Sequence, residues 1–169
     1  MRVVRSILAA VALATLTGAI TYAADRQSQI QNVYQHRCKA AIGGDAGAFA
    51  GTFSPTYVAV DLDRNVLTLD EVAGAIAYPA QGMVIGDCAV VIRGISIDEN
   101  IATVAETQRS AGTVVQDGIA KPFVDVVDSL DIWRVSGSPK ELSSKATGER
   151  LTVDGVAVLD RGILASPSP

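Results

Sequence analysis

The sequence predicts an α+β domain, with N-terminal helices packed on a strongly curved antiparallel sheet. Two observations predict it. Ile30, Val33, Tyr34, Arg37 and Ala41 recur at helical spacing, and helical patterns continue to about residue 77. From residue 83 the pattern changes to long runs rich in Val and Ile, punctuated by Asp-Glu-Asn, Asp-Gly and Ser-Gly-Ser-Pro turns. Helices first and a strand meander second is an α+β order. Such a sheet is apolar on one face and needs the helices as its cover. If it curves strongly, the two layers enclose a pocket.

The elements follow in order. Residues 25–42 form the first helix, ended by Gly43-Gly44, and Asp45 is placed to cap a short second helix over 46–53. Ser54-Pro55 breaks that helix. Thr56 to Asp61 alternates as a strand that puts Tyr57, Ala59 and Asp61 on one face. A turn over 61–65 precedes a brief return at Val66 and Leu67. Thr68-Leu69-Asp70-Glu71 reads as a capping box opening a third helix that ends near Ala77, before Pro79. Strands are expected over 83–97, with a bulge at Gly94, then over 101–115 and 123–135. Further strands are expected over 142–147 and 151–159. Val127, Asp131, Trp133 and Val135 share one face of the third of these.

The start of the chain reads as an export leader. Arg2 and Arg5 precede an apolar stretch from Ser6 to Ile20, and Thr21-Tyr22-Ala23 offers small residues for cleavage after Ala23. The apolar stretch is shorter than the roughly 20 residues that span a bilayer. The expected organisation is a signal peptide over 1–23, a domain over 24–160 and a flexible tail over 161–169. The expected location is periplasmic or secreted. No membrane association is expected once the leader is removed.

Charge narrows the partners. The formal net charge is −4, and loss of Arg2 and Arg5 with the leader makes the remainder about −6. An acidic chain without a basic cluster lacks the cations that neutralise phosphates, so no nucleic-acid partner is expected. The only two cysteines, Cys38 and Cys88, admit three readings: a disulfide between an early helix and a later strand, two separate buried thiols, or a reactive thiol. With His36 the single histidine, no metal site has ligand spacing. Gly43, Gly47 and Gly51 lack the preceding strand and following Lys-Ser or Lys-Thr of a phosphate loop. No Ser or Cys has a paired histidine in a nucleophile motif.

Several segments together resemble the nuclear transport factor two (NTF2)-like superfamily, which includes SnoaL-like proteins and ketosteroid isomerases. They are Ala41-Ile42-Gly43-Gly44-Asp45, the short helix to Phe53, the strand to Asp61, Leu67-Thr68-Leu69-Asp70-Glu71, and Leu130-Asp131-Ile132-Trp133-Arg134-Val135-Ser136-Gly137. The resemblance covers about residues 25–150. It implies a cystatin-like cone with a pocket at its wide end, often dimerising through the open sheet. Isomerases of this kind carry a general base at the end of the first strand, where Asp61 stands, and a protonated aspartate in a late strand, where Asp131 stands. Their third group, a tyrosine on the first helix, falls at Arg37 here.

The candidate catalytic residues are therefore Asp61 and Asp131. The candidate ligand-binding residues are Tyr34, Arg37, Tyr57, Asp61, Asp131 and Trp133. A carboxylate beside a carbonyl substrate removes a proton, and a neutral one stabilises the enolate. A cation such as Arg37 instead keeps neighbouring carboxylates ionised, and it either meets an anionic ligand group or pairs with Asp131 or Asp61. Tyr34 and Tyr57 serve as core residues with a polar tip or as pocket donors. The leading expectation is an exported domain that binds a small, partly apolar molecule without a cofactor. Its rivals are an isomerase, cyclase or dehydratase using Asp61 as base, and a dimerisation or interaction module.

Overall fold

The computed structural model describes residues 4–79 and 82–162. Helix α1 spans Val4–Gly43, α2 Ala46–Ala50 and α3 Leu69–Ala77. The strands are β1 (Phe53–Val60), β2 (Val66–Thr68), β3 (Val84–Asp98), β4 (Ile101–Gln116), β5 (Ile119–Arg134), β6 (Lys140–Val153) and β7 (Val156–Gly162). Residues 163–169 of the expected tail lie outside the described residues, as do nearly all side chains of the expected leader. The first two residues of that tail, Arg161 and Gly162, end β7. No helix among the described residues is long and apolar enough to cross a membrane.

The helix ends are set by local chemistry. Gly44 adopts φ +66°, and Asp45 N–H bonds the Ala40 carbonyl while Gly44 N–H bonds that of Ala41. This is a Schellman closure, which requires a residue at positive φ and therefore favours glycine. Asp45 then caps α2 by accepting from Ala48 N–H at 2.8 Å. The Thr68–Glu71 capping box is present in both directions at the start of α3.

The second helix stops earlier than the sequence pattern suggests. Phe53 is the first residue of β1, not the last of α2. Gly51 closes the turn, and the Thr52 hydroxyl donates to the Phe49 carbonyl at 2.8 Å, consuming an acceptor that another helical turn would need. Phe53 then packs against Phe49 and Tyr57. Pro55 lies in a stretch of β1 where the register against β6 slips, so its missing N–H costs no ladder bond.

The seven strands form one unclosed sheet in the order β2-β1-β6-β5-β4-β3, with β7 beside β6. It is mixed, not purely antiparallel, because β1 runs parallel to β6. A single edge of β6 serves two partners: Glu141 to Lys145 pair with β1, and Gly148 to Val153 pair with β7. Strand β6 is also one unit where the sequence suggested two, since Gly148 stays paired with β5 and β7 and the reversal comes at Asp154-Gly155. Bulges bend the sheet at Gly94 in β3 and at Leu142 and Thr147 in β6. Gly112 permits a close approach, because a Cβ there would lie 1.9 Å from the Val84 carbonyl oxygen.

Helix α1 lies across β3, and α3 packs on α2 and β1. Ile30 and Tyr34 of α1 meet Ala102, Val104, Trp133 and Val135 in one core. Ala40, Phe49, Phe53 and Tyr57 form a second, covered by Val72 and Ile76 of α3.

Candidate functional site

A cavity of about 330 Å³ lies between the second half of α1, helix α3 and the inner face of β3 and β4. Ala41, Phe49, Val72, Ile76 and Ile85 make its walls largely apolar. Cys38 and Cys88, joined as a disulfide, form another part of the wall. Arg37, Glu71, Gln108 and Ser110 supply polar groups. Among the described residues Arg37 is the only cation in the lining. The volume lies at the small end of the range for pockets that enclose small molecules.

The strand period places the polar groups. Glu106, Gln108 and Ser110 alternate along β4 and so share one face. Ser129 and Asp131 face them from β5, opposite Glu106 and Val104 respectively, and Ser144 of β6 lies opposite Asp131. Arg37 reaches this face from α1, one turn after Tyr34.

These side chains form a buried network. Tyr34 donates its hydroxyl to Asp131 Oδ2 at 2.5 Å and accepts from Trp133 Nε1 at 3.2 Å. Asp131 Oδ1 lies 2.7 Å from both Ser129 Oγ and Ser144 Oγ. Ser129 Oγ is also 2.6 Å from Glu106 Oε1. Arg37 Nη1 sits 2.7 Å from Glu141 Oε2, as a close ion pair rather than an aligned hydrogen bond. Arg37 Nε donates to Thr52 Oγ1 at 3.2 Å. Its guanidinium stacks 3.9 Å from the Phe53 ring centre, with the Tyr34 and Trp133 rings at 5.2 and 5.5 Å. Three buried atoms of this network have no hydrogen-bond partner, Arg37 Nη2, Glu106 Oε2 and Glu141 Oε2, the last of which is held by its ion pair.

Burial dominates the ionisation. It pushes Glu106 up to about 8, with the Asp131 carboxylate adding to the effect. Burial also raises Glu141, more than the adjacent Arg37 lowers it. Burial opposes the charge on Arg37, yet Glu141 more than offsets this and Arg37 holds its proton more firmly than usual. These tendencies pull the pair in opposite senses. The 2.7 Å contact favours the charged pair, since a neutral Glu141 would leave a buried guanidinium without a counter-ion. Tyr34 and Tyr57 are both raised, first by burial and then by nearby carboxylates, so both phenols stay neutral.

The structure brings together four of the six candidate ligand-binding residues, Tyr34, Arg37, Asp131 and Trp133. Tyr57 lies close by on β1, with its hydroxyl toward Ser144. Only Arg37 lines the cavity. Asp131, Tyr34 and Trp133 are almost fully buried and form a packed polar floor. With three hydroxyls on its two oxygens, Asp131 is fully engaged. Asp61 lies elsewhere, in the β1–β2 turn. Its two carboxylate oxygens accept from Asn65 N and Nδ2 at 2.8 and 2.7 Å. The side-chain bond from Asn65 holds its carboxyl below the usual range. Arg37 pairs with neither Asp61 nor Asp131, but with Glu141.

The sequence reading missed Glu106, Ser129, Glu141 and Ser144. A signal for two of them was present. Glu106 follows Ala102 and Val104 at period two, and Ser129 precedes Asp131 and Trp133 in the same way. A polar residue continuing an apolar face is a candidate for a buried network. Glu141 and Ser144 carried no such signal, because bulges interrupt the alternation along β6.

No family model and no curated protein matches the chain. Solved structures do. An NTF2-like protein from Cytophaga hutchinsonii is 12% identical, covers 71% of this chain and 95% of its own, and superposes with a TM-score of 0.54. A ketosteroid isomerase-like protein from Erwinia carotovora is 19% identical, with 70% and 92% covered and a TM-score of 0.53. An NTF2-like protein with a cystatin-like fold from Novosphingobium aromaticivorans is 14% identical, with 78% and 87% covered and a TM-score of 0.50. Identities this low speak to fold and not to activity. The helices laid over a curved, unclosed sheet give this chain the NTF2-like, cystatin-like cone fold.

Proposed function

We propose that this chain is an exported domain that binds a small, mostly apolar molecule in the cavity between α1, α3 and the inner sheet face. The observation that carries this reading is the cavity itself. It is apolar on most sides, about 330 Å³ in volume, and among the described residues has Arg37 and Glu71 as its charged wall residues. Similarity of fold to a ketosteroid isomerase-like protein is compatible with a ligand-binding or isomerase-type domain. The leader-like start and the Cys38–Cys88 disulfide support a place outside the cytoplasm, where such bonds persist. Asp61 does not line the cavity and is bonded to Asn65 in a turn, which leaves the binding reading ahead of one that uses Asp61 as base.

The test is a thermal-shift panel of small apolar ketones, esters, amides and acids against the purified chain. Hits are then repeated on Ala75→Trp. Ala75 lines the cavity and is itself exposed, so an indole there fills the space without disturbing the core. Hits that vanish in A75W support the reading. A panel without hits, or hits that A75W leaves unchanged, overturns it.

A further inference from the structure

A groove of about 520 Å³ runs beside α1, between the α2–β1 junction and the β5–β6 turn. It shares no wall residue with the cavity described above. Its titratable wall residues are all basic. Arg26 and His36 come from α1 and Lys140 from the start of β6, and among the described residues no Asp or Glu lines it. The chain as a whole carries 18 acidic residues against 14 Lys and Arg, so a groove of this sign runs against its composition.

The two permanent cations are held by groups that do not neutralise them. Arg26 Nη1 donates to Gln29 Oε1 at 2.7 Å and to the Gly137 carbonyl at 3.5 Å. Lys140 Nζ donates to the Gly51 carbonyl. Neither forms an ion pair among the described residues, whereas Arg37, Arg93, Arg109, Arg150 and Arg161 each meet a carboxylate. A carbonyl fixes where a cation sits and leaves its net charge for another partner. Arg26 Nε is enclosed and out of reach of a ligand. Arg26 Nη2 bonds to no described residue, and Gly51 takes only one of the three Lys140 hydrogens. Both side chains are only partly buried, so these are the groups a ligand would meet.

The carboxylates of the surrounding elements do not cancel this charge. Asp25 accepts from Gln29 Nε2 at 2.8 Å, and that amide stands between it and Arg26. Glu141 follows Lys140 but turns to the inner face, where Arg37 holds it. Asp45 caps α2, and Asp98 and Glu99 of the β3–β4 turn do not line the groove. Arg26 and Lys140 therefore keep two positive charges, with Asn32 and Ser138 as neutral donors on the same walls. A guanidinium fork and an ammonium together suit oxyanions. A single carboxylate matches one of the two charges, and a dianion matches both. Two cations are too few to hold a nucleic-acid backbone.

We propose that this groove binds a small dianion, a phosphate monoester or a short dicarboxylate, between Arg26 and Lys140. The site is independent of the cavity and of its proposed ligand. No stretch of sequence announces it, because residues 26, 36 and 140 meet only in the fold.

The experiment titrates methyl phosphate and succinate into the purified chain at neutral pH and low ionic strength, with acetate as the singly charged comparison and binding followed by NMR. At least one dianion should bind about tenfold or more tightly than acetate. Binding of methyl phosphate alone places both charges on one phosphoryl group, and binding of succinate alone spreads them over two carboxylates. Arg26→Gln and Lys140→Gln should each weaken the bound dianion about tenfold. Lys121→Gln removes the same charge at the opposite end of β5 and should change little. Acetate that binds as tightly as both dianions overturns the proposal, and so does a chain that binds neither dianion. Unchanged affinity in folded R26Q and K140Q overturns it as well. A K121Q variant weakened as much as R26Q would show attraction to the whole chain rather than to this groove, with the same consequence.

Discussion

At the scale of single residues, the inner face of the sheet is a place where polar groups satisfy one another. Tyr34 is the most connected of them, donating to Asp131 and accepting from Trp133. Tyr34→Phe keeps the ring and removes both bonds, leaving Trp133 Nε1 and one Asp131 oxygen without partners. It should cost about 1–3 kcal/mol in denaturant unfolding. Asp61→Ala should loosen the β1–β2 turn and leave cavity binding unchanged, since Asn65 is its partner. Glu106 gives a pH prediction. Its ordinary value of 4.5 applies in the unfolded chain, and burial lifts it to about 8 when folded. Between these values the folded chain holds more protons than the unfolded one, so stability falls as pH rises across that window. Glu106→Gln removes this contribution. Its unfolding free energy should decline less steeply from pH 5 to 8 than that of the wild type, and parallel profiles would refute the assignment.

At the scale of elements, the Cys38–Cys88 disulfide ties α1 to β3 across 50 residues of chain. Closing a loop of that length stabilises by about 4 kcal/mol in the chain-entropy account. The same bond walls the cavity beside Arg37. The Cys38→Ser/Cys88→Ser double variant should therefore lose both stability and ligand affinity, measured by thermal unfolding and by titration of a hit from the panel. A variant that is destabilised and binds normally would limit the disulfide to a staple. Element boundaries followed the sequence where they depend on local chemistry. The Gly44 closure, the Thr68–Glu71 box and the Gly94 bulge are each decided within a few residues. The end of α2 was misplaced because Phe53 is drawn into β1 by Glu141, far away in the chain.

At the scale of the whole molecule, the sheet brings β1 beside β6 in parallel and leaves β3 at the far edge. Alternation along a strand says which face is buried and nothing about which strand is the neighbour. The pairing arises because the chain crosses from β2 to β3 through α3 and returns strand by strand. That return delivers Glu141 next to Phe53 and sets the carboxylate under Arg37. An all-antiparallel sheet would have had no reason to place Glu141 there.

The sequence by itself determined the α+β class, the cone-like resemblance, the helix caps and most strands. All of these rest on local propensity, on periodicity or on motifs along the chain. Only the tertiary structure decided that Arg37 meets Glu141, that Asp131 is enclosed rather than facing the cavity, and that Asp61 serves a turn. Those outcomes depend on strand register and on bulges, where a one-residue slip turns a side chain to the opposite face. The cysteines show the same division. Their number could be read along the chain, but their pairing required α1 to lie across β3 with Cys38 over Cys88.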